Sequence, residues 1–291
     1  MTIKNLQGFF LINKPLNYTS FDVIKFIRKK FNIKKVGHTC TLDPLATGLM
    51  VVGVGQALRF IEFHSGHTKE YQAEITFGKI SETYDSEGPF RVVSSAKEFL
   101  KKDLEFILKK FQGEIEQIPP KYSALKIKGE KYCNLVRTGK EVDILAKKRK
   151  VTIYKNKIID FSWPRVVLEI SCSAGTYIRS IANDLGQITG CGAYLSALKR
   201  TKVDNFSLKN TKNLEDLTVT DLLPLDIGID FPKLELTIKN IKDLQHGRQV
   251  VCFGKEESDK QYFKIYCQNK FFGIVKKTGT DLRAKKIIFE R

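Results

Sequence analysis

The chain has 291 residues, of which 42% are hydrophobic and 28% charged, a composition typical of a globular protein rather than a disordered one. No apolar stretch approaches the ~18 residues that a membrane-spanning helix needs, and the apolar run from Phe9 to Ile12 is too short for a signal peptide. We therefore expect a cytoplasmic protein without membrane contact. The 50 Lys and Arg residues against 32 acidic residues give a net charge of +18, which favours a polyanionic partner such as nucleic acid.

In the first half of the chain, three strands are predicted at residues 8–14, 49–54 and 70–78, the last from its alternation of apolar and polar residues. A helix is predicted from Ser20, as its N-cap, to about Phe31. A second helix is predicted to open at a capping box formed by Ser95 and Glu98 and to stop near Gly113.

In the second half, two strands are predicted at residues 151–161 and 166–172, followed by a helix from about Gly175 to Ile188. Helices and strands alternate without a regular βαβ repeat, which predicts an α+β core rather than a doubly wound sheet. Residues 218–232 are typical of a linker. The remaining segment contains short strand-like runs, with 14 basic against seven acidic residues, and predicts a small β-barrel.

Segment 121–150 is strongly basic, with ten Lys and Arg residues against three acidic residues, interleaved with Tyr122 and Tyr132. Cations beside aromatic rings favour contact with phosphates and unpaired bases, although a merely solvated surface is the alternative. We expect an RNA-binding surface formed by its cations: Lys121, Lys126, Lys128, Lys131, Lys147, Lys148, Arg149 and Lys150.

Residues 37–48 form the densest cluster of unusual residue types, including His38 and Asp43. On spacing alone, Asp43 before Pro44 is typical of a helix N-cap, and His38 of a hydrogen-bonded loop histidine. Neither the six cysteines nor the four histidines show the spacing of a metal site, and we expect the cysteines to be reduced thiols.

The segment GHTCTLDPLATG at 37–48 resembles the aspartate motif of the TruB family of bacterial tRNA pseudouridine-55 synthases, usually GHxGxLDPxAxG. Further blocks resemble this family in its own order: FLINKP at 10–15, KEY at 69–71, PPKYSALK at 119–126, GTYIR at 175–179, DLG at 184–186 and LKRT at 198–201. Together they cover roughly residues 8–230. The C-terminal segment is similar only in position and pattern to the PUA-like domain that many members carry.

The resemblance implies a pseudouridine synthase domain at 1–230, built on a mixed, largely antiparallel sheet, with an RNA-gripping insertion at about 118–150. A PUA-like barrel is expected at 231–291. The implied reaction moves the glycosidic bond of uridine 55, in the T-loop of tRNAs, from N1 to C5, without cofactor or metal. The implied partner is the T arm of tRNA, with no obligatory protein partner and a monomeric enzyme.

The resemblance also implies three catalytic residues: Asp43 as nucleophile, Arg179 as the cation beside it, and Tyr71. Tyr71 has the right type to stack on the target base, and assistance in removing the proton from C5 is a second role open to it. Whether Asp43 attacks the ring or the sugar stays open. The remaining residues are expected to bind the flipped-out nucleotide or support the loop: His38, Tyr177, Leu198 and Lys14. Three of the site residues have structural alternatives: a surface ion pair for Arg179, cross-strand packing for Tyr71 and core packing for Leu198.

One position departs from the family pattern, since Cys40 stands where Gly is usual. A required positive φ would strain the loop, whereas a requirement for a small side chain would not, and we expect the second. Two other functions stay open: an RNA-binding or tRNA-folding protein without catalysis, and a synthase acting on ribosomal RNA. The intact Asp43, Tyr71 and Arg179 argue against the first. The basic insertion and the small C-terminal module fit a compact stem-loop such as the T arm of tRNA better than they fit ribosomal RNA.

Overall fold

The computed structural model of the protein describes residues 6–64, 68–123, 126–127, 130–131, 148–252 and 261–289. The helices of this part are α1 (Ser20–Phe31), α2 (Lys101–Leu108), α3 (Ile178–Thr189) and α4 (Ile238–Gln245). The strands up to residue 131 are β1 (Gly8–Lys14), β2 (Val36–His38), β3 (Ala46–Val54), β4 (Lys69–Phe77), β5 (Lys79–Ser81), β6 (Phe90–Val92), β7 (Gly113–Gln117), β8 (Lys126–Ile127) and β9 (Glu130–Lys131). The later strands are β10 (Arg149–Ser162), β11 (Arg165–Cys172), β12 (Ala193–Val203), β13 (Phe206–Ser207), β14 (Lys233–Glu235), β15 (Val250–Val251), β16 (Tyr262–Cys267), β17 (Lys270–Thr278) and β18 (Asp281–Ile287).

The main sheet has nine strands among the described residues, in the order β1-β3-β12-β4-β11-β10-β7, with β2 beside β3 and β13 beside β12. All neighbours are antiparallel except β3 and β12, which run parallel. The prediction of an α+β core with a mixed, largely antiparallel sheet is confirmed. No helix within the described ranges has the length and apolar character that crossing a membrane would require.

The parallel contact of β3 with β12 depends on Gly48. Its φ is +101°, and a Cβ at this position would lie 2.3 Å from the carbonyl oxygen of Arg200. Only glycine adopts this conformation without strain and allows so close an approach. The contact places the loop before β3, residues 39–45, beside the middle of β12, where Leu198 and Arg200 lie.

Helices cover the sheet and complete its core. The apolar stripe of α1 packs on alternate residues of β1 and β3, with Phe10 stacked on Phe31 at 5.4 Å between ring centroids. Helices α2 and α3 pack with β4, β10, β11 and β12 in a second cluster that includes Leu104 and Ile181. These two layers hold the strands whose ends carry the predicted site residues.

A five-stranded sheet, in the order β14-β16-β17-β18-β15, forms the C-terminal part and packs with α4. It shares a core with the main sheet, since Ile274 and Ile288 lie in one cluster with Phe9 and Phe60. Lys286 also forms an ion pair with Glu62 at 2.8 Å. The domain boundary at 230/231 and the PUA-like character of this part stay predictions.

Two helix starts differ from the prediction. The N-cap of α1 is Thr19, which forms the capping box with Asp22, and Ser20 is buried instead. Helix α2 begins at Lys101 rather than at Ser95. Residues 94–95 form a turn and residues 96–100 have no regular secondary structure. Within this segment, Phe99 packs edge-on against Phe77 and Trp163, at 5.0 Å in each case. Tertiary packing of an aromatic side chain thus overrides a local capping signal.

Candidate active site

Asp43 lies in a turn between β2 and β3, and no helix starts at this residue. Its carbonyl oxygen accepts a hydrogen bond from the N–H of Ala46 at 3.0 Å, which leads the chain into β3. The helix-capping interpretation of Asp43 is therefore wrong. Its carboxylate is 37% exposed and is available to a ligand.

The two residues that flank Asp43 are held by groups from the N-terminal segment. The buried hydroxyl of Ser20 donates to the carbonyl of Leu42 at 2.9 Å and accepts from its N–H at 2.8 Å. The carbonyl of Pro44 accepts from the N–H of Asn17 at 3.0 Å and from the ammonium of Lys14 at 3.3 Å. The backbone on both sides of the carboxylate is thereby fixed.

Arg200 anchors the loop from β12. Its buried guanidinium donates to the carbonyl of Leu49 at 2.7 Å and to that of Cys40 at 3.2 Å. Cys40 is not among the described non-glycine residues with a positive φ, so its backbone conformation does not require glycine. That the position needs only a small side chain stays a prediction. The described cysteines are thiols, as expected.

A cavity of about 260 Å³ opens beside Asp43. The residues that line it are Cys40, Thr41, Leu42, Asp43, Lys69, Tyr71, Arg149, Gly175, Thr176, Tyr177, Ile178, Arg179, Leu198 and Arg200. Five of the residues expected at the site by resemblance thus meet there, on one loop, two strands and the start of α3. No group of three or more His, Cys, Asp or Glu side chains suited to a metal ion occurs among the described residues.

Arg179 forms an ion pair with Asp43, with 3.0 Å between Nε and Oδ2. The Nε–H group of Arg179 has no acceptor in hydrogen-bond geometry among the described residues. Its contact with Asp43 is therefore electrostatic rather than a directed hydrogen bond. The Arg179 side chain is 7% exposed. The pair therefore places a buried, permanently charged guanidinium beside a carboxylate that remains accessible.

Asp85 is a site residue that the sequence interpretation missed. Its buried carboxylate lies 3.3 Å from Nη1 of Arg179, whereas Asp43 contacts Nε, and it accepts hydrogen bonds from Thr83 Oγ1 and from the N–H of Glu87. Arg179 also donates to the carbonyl oxygens of Thr83 and Tyr122, at 3.2 and 3.1 Å. In the sequence, this segment shows only the composition of a polar loop, without periodicity that would reveal a buried acid.

Tyr71 lies on β4, opposite Ile170 of β11 and Arg200 of β12. Burial raises the pKa of its phenol to about 12, against the opposing effect of the Arg200 guanidinium. The phenol is therefore protonated at neutral pH. Arg200 belongs to the LKRT motif but is not predicted as a site residue. Its position two residues after Leu198 on a strand, which places both side chains on the same face, is the signal that could have indicated it.

Tyr177 precedes α3 and is held by Gln117 of β7. The Gln117 side chain donates to the Tyr177 carbonyl at 2.9 Å and accepts from its N–H at 2.8 Å. The guanidinium of Arg149 lies 4.6 Å from the centroid of the Tyr177 ring and donates to the carbonyl of Gly175 at 3.2 Å. Arg149 is the residue of the basic segment that reaches the cavity lining in the described part of the chain.

Two residues expected at the site lie beside the cavity rather than in its lining. His38 Nε2 is 3.1 Å from Oγ1 of Thr41, which does line it, and burial, aided by Arg200, lowers the pKa of His38. The ammonium of Lys14 is buried and donates to the carbonyls of Pro15 and Tyr18 as well as Pro44.

The basic segment is only partly described. Lys148 and Lys150 form exposed ion pairs with Glu116 and Glu114 of β7, at 3.7 and 2.8 Å. Lys121 is exposed. The backbones of Lys126 and Lys131 pair in the short β8–β9 ladder, whereas Lys128 and Lys147 lie outside the described residues.

Comparison with known proteins gives consistent matches. A model described as the N-terminal domain of TruB family pseudouridylate synthases matches residues 28–178, and one described as the C-terminal domain of tRNA pseudouridylate synthase B matches residues 179–223. The "tRNA pseudouridine synthase B" of Clostridium tetani is 37% identical, with coverage of 97% of this chain and 100% of that protein. The protein of the same name from Clostridium kluyveri is 40% identical, with coverage of 92% and 95%.

Solved structures give the same fold. A chain of a Cbf5–Nop10–Gar1 complex superposes with a TM-score of 0.71 at 22% identity, over 99% of this chain and 86% of that one. A chain of an archaeal Nop10–Cbf5 complex gives a TM-score of 0.70 at 20% identity, over 96% and 85%. At these identities the likeness concerns the fold alone.

Proposed function

Since the chain belongs to the TruB family of pseudouridylate synthases, we propose that it isomerises uridine 55 in the T-loop of tRNAs, with Asp43 as the nucleophile. Family membership makes it an isomerase that forms pseudouridine. The observation that carries the assignment of the site is the Asp43–Arg179 ion pair at the side of a cavity large enough for one pyrimidine. The position of the uridine, its place in the T-loop and the roles of the site residues belong to the proposal.

The reaction conserves all atoms and electrons. The N1–C1′ bond of the uridine breaks, a C5–C1′ bond forms, and the proton lost from C5 is balanced by one gained at N1. Asp43 attacks either the ring or C1′, and both courses need an ionised, oriented carboxylate. Arg179 pairs with the carboxylate, and the backbone contacts of Leu42 and Pro44 support its orientation.

Tyr71 and Leu198 provide the apolar part of the cavity, where the flipped-out base is held. Because the pKa of Tyr71 is raised to about 12, its phenol is unsuited to accept a proton at neutral pH. We assign it to stacking on the base, with Tyr177 contacting the same nucleotide. Flipping a stacked uridine costs a few kcal/mol, and His38, next to the cavity, is proposed to fill the vacated stack.

The RNA outside the cavity is proposed to be the T arm of a tRNA, gripped by the insertion at about 118–150 and by a PUA-like domain at 231–291. Arg149 supports this assignment, because it is a cation of the basic segment within the cavity lining. The enzyme is proposed to act as a monomer in the cytoplasm without an obligatory protein partner. Each residue that the proposed chemistry uses belongs to the chain itself.

Pseudouridine mapping of total RNA tests this function. Cells that lack the protein should lose pseudouridine 55 from their tRNAs and recover it when they express the wild-type protein, but not Asp43→Asn. The variant should fold normally and bind tRNA with nearly unchanged affinity, because it keeps the shape of the side chain. Loss of a ribosomal RNA site instead, or residual turnover above ~1% of wild type in Asp43→Asn, would contradict the proposal.

A further inference from the structure

A strongly basic surface lies on α1, outside the catalytic cavity. Residues 17–35 contain six Lys and Arg residues against one acidic residue, Asp22. A shallow groove of about 440 Å³ runs along the exposed side of the helix and its C-terminal end, and its lining consists of Lys25, Arg28, Lys29, Asn32, Ile33 and Lys34. These residues, together with Phe21, are called the α1 surface below. No carboxylate contributes to the groove lining, so its potential is positive.

The charges of the α1 surface are largely uncompensated. Lys25 lies 3.6 Å from Asp22, but this exposed pair contributes little and leaves the ammonium open to solvent. No carboxylate oxygen in the described part of the chain lies within 4.0 Å of Lys29 or Lys34. Cations without acidic partners are able to release counterions from a bound polyanion.

An exposed aromatic ring adjoins these cations. Phe21 is 53% exposed, and the Lys25 ammonium and the Arg28 guanidinium lie 5.0 and 5.9 Å from the centroid of its ring. The ring holds both cations at the surface by cation–π contact. The opposite side of α1 is buried against β1 and β3, so the basic side necessarily faces outward.

The α1 surface begins beside the catalytic loop. Ser20, the first residue of the helix, exchanges two hydrogen bonds with Leu42, which directly precedes Asp43. From there the 12-residue helix extends ~18 Å. When a uridine of an RNA enters the cavity, the sugar–phosphate backbone on either side of it must lie on the neighbouring protein surface. Helix α1 is part of this neighbouring surface.

We propose that the α1 surface binds the sugar–phosphate backbone of the tRNA substrate, at a place distinct from both the cavity and the basic segment 121–150. This inference rests on the proposed function and extends it to a second RNA contact. Because cations and phosphates meet there, the contact supplies affinity and orientation but does not read bases.

The test compares two variants that each remove three exposed positive charges. The first is Lys25→Gln, Lys29→Gln and Lys34→Gln; the matched control is Lys102→Gln, Lys109→Gln and Lys110→Gln, on and after α2. Arg28 is left unchanged because it donates to the carbonyl of Val36. The probe is an unmodified tRNA transcript, with affinity measured over a range of salt concentrations.

We expect the α1 variant to bind tRNA about tenfold more weakly at 100 mM salt. The plot of the logarithm of the binding constant against the logarithm of the salt concentration should become shallower, with the magnitude of its slope reduced by about 2. KM should rise in proportion, whereas kcat at saturating tRNA should stay within twofold of wild type. The control should resemble wild type. Replacement of the same three α1 lysines by Arg should restore binding, because it keeps the charge.

Three results would overturn the inference. These are wild-type affinity in the α1 variant, an equal loss in the α2 control, or a fall in kcat without a change in KM. The first would leave the surface to a partner other than RNA, and the second would mean that net charge alone matters. Pseudouridine formation by the wild-type protein is scored separately, so failure of the proposed function is distinguishable from failure of this contact.

Discussion

The guanidinium of Arg179 lies between two carboxylates, the accessible Asp43 and the buried Asp85. Removing the inner charge leaves Arg179 without one of its two anionic partners and free to shift from the nucleophile. We expect Asp85→Asn to lower kcat about 10- to 100-fold, since small misplacements of catalytic groups have effects of this size. Thermal unfolding and tRNA affinity should change little, because Asn keeps an acceptor for Thr83. Activity within twofold of wild type would contradict this role.

Lys14 gives a pH-dependent prediction. Burial lowers its pKa from 10.5 to about 8, although Asp43 and Glu87 act in the opposite direction. Between pH 8 and 10.5 the unfolded chain therefore binds more protons than the folded one, and the contribution of Lys14 to the free energy of unfolding rises with pH. In urea unfolding, the free energy of wild type minus that of Lys14→Met should increase over this interval. A difference independent of pH would mean that the pKa of Lys14 is not lowered.

His38 tests base flipping separately from chemistry. If it occupies the space left by the uridine, His38→Ala should be slow on intact tRNA and less impaired on a short, loosely stacked stem-loop. Asp43→Asn should be inactive on both substrates. The measurement is the single-turnover rate on each RNA relative to wild type. Equal impairment of His38→Ala on both would assign it instead to bracing Thr41, with which it is in contact.

At the scale of elements, β10 separates the cations of the basic segment. Lys148 and Lys150 pair with acidic residues of β7, whereas Arg149 between them points to Tyr177 and the cavity. We expect Arg149→Gln to lower kcat/KM at least tenfold more than the double variant Lys148→Gln and Lys150→Gln. Arg149 lines the cavity, whereas the two lysines form exposed ion pairs, which contribute little energy. Steady-state kinetics on tRNA checks this. A larger loss in the double variant would mean that the RNA contacts Lys148 and Lys150, next to β7, rather than Arg149.

At the scale of the whole molecule, the two sheets share one apolar cluster. Ile274 of β17 is fully buried with Phe9 and Phe60 of the catalytic part. We expect Ile274→Ala to lower the free energy of unfolding by about 2–5 kcal/mol. Both sheets should unfold in a single urea transition, followed by circular dichroism and by tyrosine fluorescence. Two separate transitions would show that the shared core does not couple them.

Features that depend on near neighbours in the chain could be predicted from the amino-acid sequence alone. The alternation and apolar runs of β1, β4 and β11 and the stripe of α1 fall close to their predicted bounds, because strand and helix periodicity directly reflects burial. Net charge indicated a polyanionic partner, and the ordered motifs indicated the family and the residues that converge on the cavity.

Features that arise between distant segments became visible only in the folded chain. Packing of Phe99 cancelled the capping signal at Ser95, and the turn around Asp43 excluded the helix cap. The partnership of Arg179 with Asp85 joins residues 94 positions apart, one in the first turn of α3 and the other in a polar loop. The separation of Arg149 from its neighbours depends on which strand lies beside β10. Such contacts are set by how the sheet is assembled, and local periodicity carries no information about that.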